Sequence, residues 1–478
     1  ASVIRMLSSY IGLETFLKGI RQYLAKHQYR NAATTDLWAA LSEASGRDIG
    51  EFMAQWTLRV GYPVLTVTEE AVGGEGSDEV KVHVRQNRFL VSGTVTSEED
   101  QNVWWVPLNF ATNDPDFEAK SGSAVLTERE ASFSLPKGVA GDNGWYKLNK
   151  DTVSLFRVQY SDVAIKRLAK AIENKALSTN DRIGIFSDLS ALAESGLGKT
   201  SAMLTLIKSN ADECQDEVWG TIQESLGRLT RAWIDQPSEI YDKIQALKRE
   251  LFGPLVRRLG YEVKRDEDNK ITRLRSRAII SAGIAGDKEI IGKVREWLDS
   301  VSAGTKPSPV HADLLEPMFI VAVNQGGERE YEVVKTYYLD EKNPIDQRLV
   351  ALQALGATKV PSLMDATLKF LLSDAVRNQD IHTGIARLTM TPEGRDKLWD
   401  WFKASYDNFL KRYGDSMSYM SVLVRYTMMG FSSEEKASEV EQFFADKDVS
   451  RIDRALNQSL ETIRTYAKWV ERDSEDVK

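Results

Sequence analysis

Residues 56–67 read Trp-Thr-Leu-Arg-Val-Gly-Tyr-Pro-Val-Leu-Thr-Val, and here the sequence changes from a helical pattern to a strand pattern. Before this stretch, as between residues 16 and 24, apolar side chains recur at spacings of mostly three to five residues, which is typical of an amphipathic helix. Gly61 and Pro63 end that pattern. Residues 1–61 are therefore predicted to form helices, in a segment too small to bury much surface by itself.

Beyond Pro63 apolar and polar residues alternate, which is the period of a strand with one buried face. The alternation is clear in residues 80–84 and again in residues 133–135. Clusters of glycine, asparagine, aspartate and proline separate the segments and indicate turns. Residues 62–160 are therefore predicted to form a small antiparallel β-sandwich.

Residues 161–478 show helical spacing throughout, in segments of roughly 10–20 residues with short breaks between them. Successive antiparallel helix pairs of this kind usually stack as an α-solenoid. The predicted fold class is multi-domain α+β. Its three parts are a helical segment in residues 1–61, the sandwich in residues 62–160 and a large helical superhelix in residues 161–478.

The composition excludes several classes of function. The 478 residues include 62 basic and 70 acidic side chains, a net charge of −8, so the chain does not carry the basic excess of a nucleic-acid or anionic-membrane binding protein. No apolar run reaches the roughly 18 residues that suggest a transmembrane helix. One cysteine and four histidines leave almost no material for a disulfide, a cysteine cluster or a histidine-based zinc site.

The string of residues 194–200, Glu-Ser-Gly-Leu-Gly-Lys-Thr, resembles the end of a phosphate-binding loop. Such a loop needs a glycine where this chain has Ala193, and it needs a preceding strand. The residues before Ala193 have helical spacing. The favoured interpretation is therefore a helix that ends with its C-cap at Gly196.

The histidines and arginines offer few candidates for chemistry. No His-Glu-x-x-His string occurs, so no catalytic or metal-binding residue is assigned to this chain. Arg228 and Arg231 belong to a basic concentration that could meet a peptide carboxylate through charge-assisted hydrogen bonds. Ion pairing with glutamate and aspartate on a helix surface is the alternative, and it is favoured.

Several strings resemble zinc aminopeptidases of the puromycin-sensitive and alanyl aminopeptidase family. They occur in the family's order along essentially the whole chain. The strings are Ala1-Ser-Val-Ile-Arg-Met-Leu7, Phe16-Leu-Lys-Gly-Ile-Arg-Gln-Tyr-Leu24, Gly61-Tyr-Pro-Val-Leu-Thr-Val67, Trp145-Tyr-Lys-Leu-Asn149, Phe156-Arg-Val-Gln-Tyr160, Asn180-Asp-Arg182 and Val376-Arg-Asn-Gln-Asp380.

The resemblance implies the C-terminal portion of a cytoplasmic, zinc-dependent aminopeptidase that removes N-terminal residues from peptides. It also implies that residues 1–61 are the C-terminal helices of the enzyme's thermolysin-like zinc domain and that residues 161–478 form a cap over the active site. The zinc ligands and the catalytic tyrosine would lie upstream of Ala1, so zinc is the cofactor of the complete enzyme and this chain binds none itself. The implied partners are the N-terminal part of the same enzyme and peptide substrates, with no nucleic acid and no membrane. Without the N-terminal part, an apolar face of residues 1–61 is expected to be exposed.

The resemblance also suggests which residues approach the substrate. In related enzymes a stretch near the C-terminal end of the superhelix reaches toward the active site, and here it corresponds to residues 414–420. The candidates for the pocket rim are Met417, Ser418, Tyr419 and Met420. Methionine and tyrosine suit a tolerant pocket, but packing at a helix start explains them equally well.

A second function from another class stays open. The chain could be an α-solenoid interaction module that binds a peptide or protein on its concave face without any catalytic activity. A reading frame that carries His-Glu-x-x-His ahead of Ala1 favours the aminopeptidase. A frame that opens at Ala1 favours the interaction module.

Overall fold

A computed structural model describes most of the chain. The described residues are 1–71, 78–93, 95–121, 124–142, 144–210, 212–236, 238–304, 310–413 and 417–477. The chain divides into two compact units, Ala1–Asp212 and Glu213–Lys478. The boundaries predicted after residues 61 and 160 both lie within the first unit.

The first unit begins with four helices. They are α1 (Ser2–Ile11), α2 (Leu13–Lys26), α3 (Thr34–Ser45) and α4 (Ile49–Thr57). Asp48 caps α4, because its carboxylate accepts a hydrogen bond from the backbone N–H of Glu51 at 2.8 Å. Trp56 near the end of α4 donates its indole N–H to the carbonyl of Trp105 at 3.1 Å. The last of the helices is thereby fixed to the strand region that follows.

Eight strands and two short helices follow in the described residues. They are β1 (Pro63–Ala71), β2 (Glu79–Arg88), β3 (Val106–Pro107), β4 (Ala111–Thr112), α5 (Pro115–Ser121), β5 (Val125–Leu126), β6 (Glu130–Pro136), α6 (Lys137–Ala140), β7 (Tyr146–Lys147) and β8 (Arg157–Gln159). The change of pattern at Pro63 is confirmed, since β1 begins there.

The strands form a four-stranded sheet in the order β6-β2-β1-β8 and two two-stranded ladders, β3-β5 and β4-β7. Within the sheet, β1 pairs antiparallel with β2, and β2 pairs antiparallel with β6. β8 pairs parallel with β1, whereas the alternating pattern predicts antiparallel strands. A parallel partner needs a long connection, and about 90 residues separate these two strands.

Three helices complete the first unit: α7 (Asp162–Glu173), α8 (Thr179–Ser195) and α9 (Thr200–Lys208). Gly196 has the left-handed φ of 81° that a helix C-cap requires, and its N–H donates to the carbonyl of Ala193. The interpretation of residues 194–200 as a helix end is therefore confirmed. A strand does not precede them, so they lack the geometry of a phosphate-binding loop.

The second unit is built of helices. They are α10 (Asp216–Ala232), α11 (Ser238–Leu259), α12 (Asn269–Ile284), α13 (Lys288–Ser302), α14 (Leu315–Gln325), α15 (Glu328–Leu339), α16 (Ile345–Leu355), α17 (Pro361–Leu371), α18 (Ile381–Ile385), α19 (Pro392–Tyr413), α20 (Met417–Thr427), α21 (Glu434–Phe444) and α22 (Asp453–Val477). The predicted sequence of a small strand region followed by many helices is confirmed.

The helices of the second unit pack in a regular order. From α11 onward, each odd-numbered helix packs against the even-numbered helix that follows it, and each even-numbered helix from α10 packs against the next even-numbered one. The final helix, α22, packs against α10. Trp233 and Trp469 meet edge to face there, with ring centroids 5.0 Å apart. The even-numbered helices thus form one continuous layer that returns to its start.

Across the part of the chain that the structure describes, none of the helices combines the length and the apolar character that crossing a bilayer requires.

Candidate functional site

A cavity of about 270 Å³ lies among the helices of the second unit. Four cationic side chains line it, and we call it the cationic cavity: Arg231, Lys248, Lys359 and Arg387. Among the described residues, its lining includes no aspartate or glutamate. A cavity of this kind attracts an anion, because low-dielectric walls strengthen the field of the charges that they enclose.

Different elements bring the four cations together. Arg231 stands in the last turn of α10, and Lys248 is in the middle of α11. Lys359 lies in the connection between α16 and α17, and Arg387 follows α18. Their convergence is therefore a product of tertiary packing, since these positions are spread over more than 150 residues of sequence.

Lys248 is only partly exposed to solvent. Burial disfavours its charged form, and the nearby Arg231 guanidinium adds to this effect, so that together they lower the pKa of Lys248 to about 8. Its Nζ donates a hydrogen bond to the Thr230 hydroxyl at 2.7 Å. Within the described residues, no carboxylate is paired with Lys248.

The other cations of the cavity also lack strong compensation. Burial lowers the pKa of Lys359. Burial also lowers the pKa of Arg387, although Glu316 opposes this effect. The Arg387 guanidinium lies 3.5 Å from a Glu316 carboxylate oxygen, which is a long contact for an ion pair. The cavity thus holds more positive charge than its neighbours neutralise.

Apolar and amide groups complete the wall. Ile234, Ile284 and Met390 line the cavity together with Gln245. Gln245 is 7% exposed, and its side-chain oxygen accepts no hydrogen bond from the described residues. An unsatisfied buried acceptor is costly, so a ligand or water that donates an N–H or O–H here would stabilise the site.

Two larger cavities, of about 710 and 700 Å³, adjoin the first one. The 710 Å³ cavity shares Arg231, Lys248 and Arg387 with the cationic cavity and is also lined by Asp216, Glu217 and Glu224. The 700 Å³ cavity shares Arg387. Their arginines behave differently. Asp216, which is 5% exposed, accepts hydrogen bonds from Arg273 at 3.2 Å and from Arg277 at 3.1 Å. These two guanidinium groups share one carboxylate within the protein and are therefore poorer anchors for an external anion.

The two arginines singled out in the sequence have different surroundings. Arg231 lines the cationic cavity. Arg228 is not among the lining residues, and its guanidinium donates to Glu224 at 2.8 Å, one turn earlier on α10. Lys248, Lys359 and Arg387 were missed by sequence reasoning. The sequence does contain one signal of this site. Lys248 is a charged residue four positions after Ile244 and four before Phe252, so it lies on the same helix face as two residues that are buried.

The candidate rim residues lie at the start of α20. Residues 414–416 are outside the described part of the chain, as is the side chain of Met417. Ser418 and Tyr419 are exposed, and Tyr419 stacks against Tyr413 with ring centroids 5.5 Å apart. Met420 is fully buried. The structure thus brings neither Ser418 nor Tyr419 into the lining of the three cavities described above.

Metal-binding side chains are scattered. Over the described ranges, no group of three or more histidine, cysteine, aspartate or glutamate residues is arranged to hold a metal ion. His83, for example, lies on β2, where its ring contacts Glu70 at 3.1 Å and Ser132 at 2.8 Å. These residues do not fit a zinc site, which needs three or four converging ligands.

Comparison with protein families gives two matches in succession. The model of the Peptidase family M1 domain matches residues 1–56. The model of the ERAP1-like C-terminal domain matches residues 145–465, which is more than half of the chain.

Curated relatives align along the whole chain. Aminopeptidase 2, mitochondrial, of Saccharomyces cerevisiae is 33% identical over 479 residues, which cover 100% of this chain and 48% of the relative. The alanine/arginine aminopeptidase of the same yeast is 32% identical and covers 100% of this chain and 53% of its own length. The puromycin-sensitive aminopeptidase of Caenorhabditis elegans is 29% identical, with 98% and 49% covered. The chain spans about half the length of the curated relatives it matches.

Proposed function

Because the chain belongs to the family of the ERAP1-like C-terminal domain and matches the M1 peptidase domain ahead of it, we propose that it works as part of an aminopeptidase. The complete enzyme hydrolyses N-terminal residues from peptides. The observation that carries this proposal is the order of the two family matches in the chain, residues 1–56 and then residues 145–465. The relatives described above are named aminopeptidases, which supports it.

The metal site belongs to another part of that enzyme. Zinc is the cofactor that the family resemblance implies, but the described residues do not converge on any point that could hold it. We therefore assign the zinc ligands and the catalytic tyrosine to the half of the relatives that this chain does not cover. The role of the present chain is to complete the catalytic domain and to shape the space that receives the peptide.

The first four helices provide a surface for the remainder of the catalytic domain. The side chains of Leu24, Tyr29 and Leu58 are 60%, 98% and 81% exposed there. Scattered exposed apolar residues are normal, but several within 60 residues mark an interface. The occupant that fits is the rest of the M1 peptidase domain, since residues 1–56 match the model of that domain.

The second unit receives the far end of the peptide. A substrate whose N-terminus is at the catalytic centre presents a carboxylate at its other end. The cationic cavity offers Arg231 and Lys248 to that carboxylate, and neither is paired with an acidic group among the described residues. Charge-assisted hydrogen bonds to a carboxylate are roughly twice as strong as neutral ones. Arg228, which Glu224 engages, is the weaker candidate.

The proposal extends to the finer architecture. Residues 1–61 complete the catalytic domain, residues 62–160 form a sandwich-like spacer, and residues 161–478 form an α-solenoid that caps the active site. The regular succession of packed even-numbered helices supports the last assignment. Met417, Ser418 and Tyr419 lie at the pocket rim, and the exposure of Ser418 and Tyr419 supports this. Met420 is fully buried and is therefore not a rim residue. The enzyme acts on peptides in the cytoplasm.

An activity assay tests whether zinc binding and catalysis require the part of the enzyme that this chain does not cover. We expect the 478-residue chain alone to release no N-terminal residue from a peptide and to bind no zinc. The same chain joined to its own upstream coding sequence should do both. Zinc content by atomic absorption and amino-acid release by chromatography measure the two properties. Stoichiometric zinc with turnover by the chain alone would refute the assignment of the metal site.

A binding assay tests the role of the cavity. Fluorescence anisotropy of an N-terminally labelled peptide should show tighter binding to the chain when the C-terminus is free than when it is amidated. Replacement of Arg231 by Gln should remove most of that difference. The matched control is Arg228→Gln, three residues earlier on the same helix, and it should leave the difference intact. Equal affinity for the free acid and the amide would contradict the assignment.

A further inference from the structure

We propose that the cationic cavity selects peptides whose C-terminal residue is aspartate or glutamate, so that two carboxylates of one residue enter it together. This inference rests on the proposed function, which places the peptide's terminal carboxylate in the cavity. It adds a substrate class, defined by the charge of the last side chain.

The charge of the cavity exceeds what one carboxylate can offset. Four cations line it, and Glu316 reaches only Arg387, at 3.5 Å. One terminal carboxylate added to Glu316 leaves two positive charges without a partner. Like charges that share a low-dielectric space repel one another, and a second anionic group relieves that repulsion. A ligand with two negative charges is therefore the better match.

The four cations form two pairs, each carried by two segments that contact each other. Arg231 and Lys248 come from the adjacent helices α10 and α11. Lys359 and Arg387 come from segments that contact each other, because Gly356, just before Lys359, packs against the backbone of Gly384 and the side chain of Arg387. Two pairs of this kind provide two anion positions: the first for the terminal carboxylate and the second for the carboxylate of the side chain.

The size and the walls of the cavity fit a single residue. Its volume of about 270 Å³ lies below the roughly 300–1,000 Å³ of pockets that enclose drug-sized ligands. Ile234, Ile284 and Met390 offer apolar surface to the methylene groups of an acidic side chain. The peptide N–H next to the terminal residue is the kind of donor that the Gln245 oxygen lacks.

The test compares three labelled peptides of identical sequence except at the C-terminus, which is a glutamate acid, a glutamine acid or a glutamate amide. Anisotropy titrations with the 478-residue chain should give about tenfold tighter binding for the glutamate acid than for the glutamine acid, the equivalent of one well-placed charge pair. The variant Lys359→Met should reduce that ratio to near one. Lys369→Met, an exposed lysine on α17, is the matched control and should keep the ratio.

The outcomes separate this inference from the proposed function. Equal binding of the glutamate and glutamine acids, both tighter than the amide, would overturn the acidic preference and leave the carboxylate anchor in place. Equal binding of all three peptides would overturn the anchor as well. Displacement of the peptide by free glutarate at the concentration that unlabelled peptide requires would show a site for small dianions and would overturn the selection of peptides.

Discussion

Arginines at the two ends of helix α10 are in opposite electrostatic states. At its N-terminal end, the nearly buried Asp216 accepts hydrogen bonds from Arg273 and Arg277 of α12, at 3.2 and 3.1 Å. At its C-terminal end, Arg231 shares a cavity with Lys248, and among the described residues no carboxylate lines that cavity. Arginine alone therefore does not mark an anion site. An anion site is indicated by a cation that lines a cavity and has no acidic partner within the protein.

The strongest way to break this contrast is to remove Asp216. The variant Asp216→Ala leaves Arg277, whose side chain is 28% exposed, without its acidic partner, and it also removes an acidic residue from the first turn of α10. We expect a loss of about 2 kcal/mol in the free energy of unfolding, less than for a fully buried pair because the arginines reach solvent. Urea denaturation measures it. A change below about 0.5 kcal/mol would show that the pair contributes no more than a surface contact.

A second test of this comparison is the pH dependence of peptide binding, because the charge of Lys248 changes with pH. In the cationic cavity, Lys248 shares the lining with Arg231, Thr230, Tyr241, Lys359 and Arg387. In the adjoining cavity of about 710 Å³, Lys248 shares the lining with Asp216, Glu217 and Glu224. Each of these three carboxylates is paired with another cation: Asp216 with Arg273 and Arg277, Glu217 with Lys270 and Glu224 with Arg228. Among the described residues, Lys248 itself has no acidic partner, and its pKa is lowered to about 8. Lys248 is therefore charged at pH 7 and mostly neutral at pH 9.

Affinity for a peptide with a free C-terminus should fall by up to about tenfold between pH 7 and pH 9. The variant Lys248→Met should bind more weakly at pH 7 and should lose this dependence on pH. Anisotropy titrations at several pH values check both expectations. A wild-type affinity that is constant from pH 7 to pH 9 would mean that Lys248 does not take part in binding.

The comparison also separates what the sequence could predict from what it could not. The change from helix to strand after Trp56 and the helix end at Gly196 depend on neighbouring residues, and both are confirmed. The parallel pairing of β1 with β8 depends on a return of the chain after about 90 residues, which a local pattern does not encode.

The residues of the cationic cavity could likewise be predicted only in part from the local sequence. Arg231 was a candidate because arginines cluster along the sequence, and that clustering selected Arg228 equally well. The two arginines differ in their neighbours. Arg231 lines the cavity, whereas Arg228 donates a hydrogen bond to Glu224 on the same helix. Lys359 and Arg387 approach only when distant segments pack, so periodicity gives no sign of them.

A smaller effect is expected when Lys248 is replaced and stability is measured instead of binding. Its folded pKa of about 8 lies below the ordinary value of about 10.4, so the unfolded chain binds more protons between these values and stability rises with pH there. At pH 7 the buried charge opposes folding. Lys248→Met should therefore gain about 1 kcal/mol at pH 7, after allowance for partial exposure, and the gain should shrink toward pH 10. A variant less stable than the parent chain at both pH values would show that packing of the lysine stem outweighs its desolvation.

The smallest effect belongs to Arg228, and it completes the comparison between engaged and free cations. Its pair with Glu224 spans one turn of α10, with side chains 37% and 64% exposed. Pairs of this type stabilise a helix by about 0.3–0.5 kcal/mol, and salt weakens them. Arg228→Gln should lower the free energy of unfolding by no more than this at low ionic strength and by less at 0.5 M salt, with peptide affinity unchanged. Urea denaturation at both salt concentrations, run beside Arg231→Gln, checks the stability difference. If Arg228→Gln weakened peptide binding as strongly as Arg231→Gln, the cavity would not be what distinguishes the two arginines, and the anion site would have to be the surface of α10 itself.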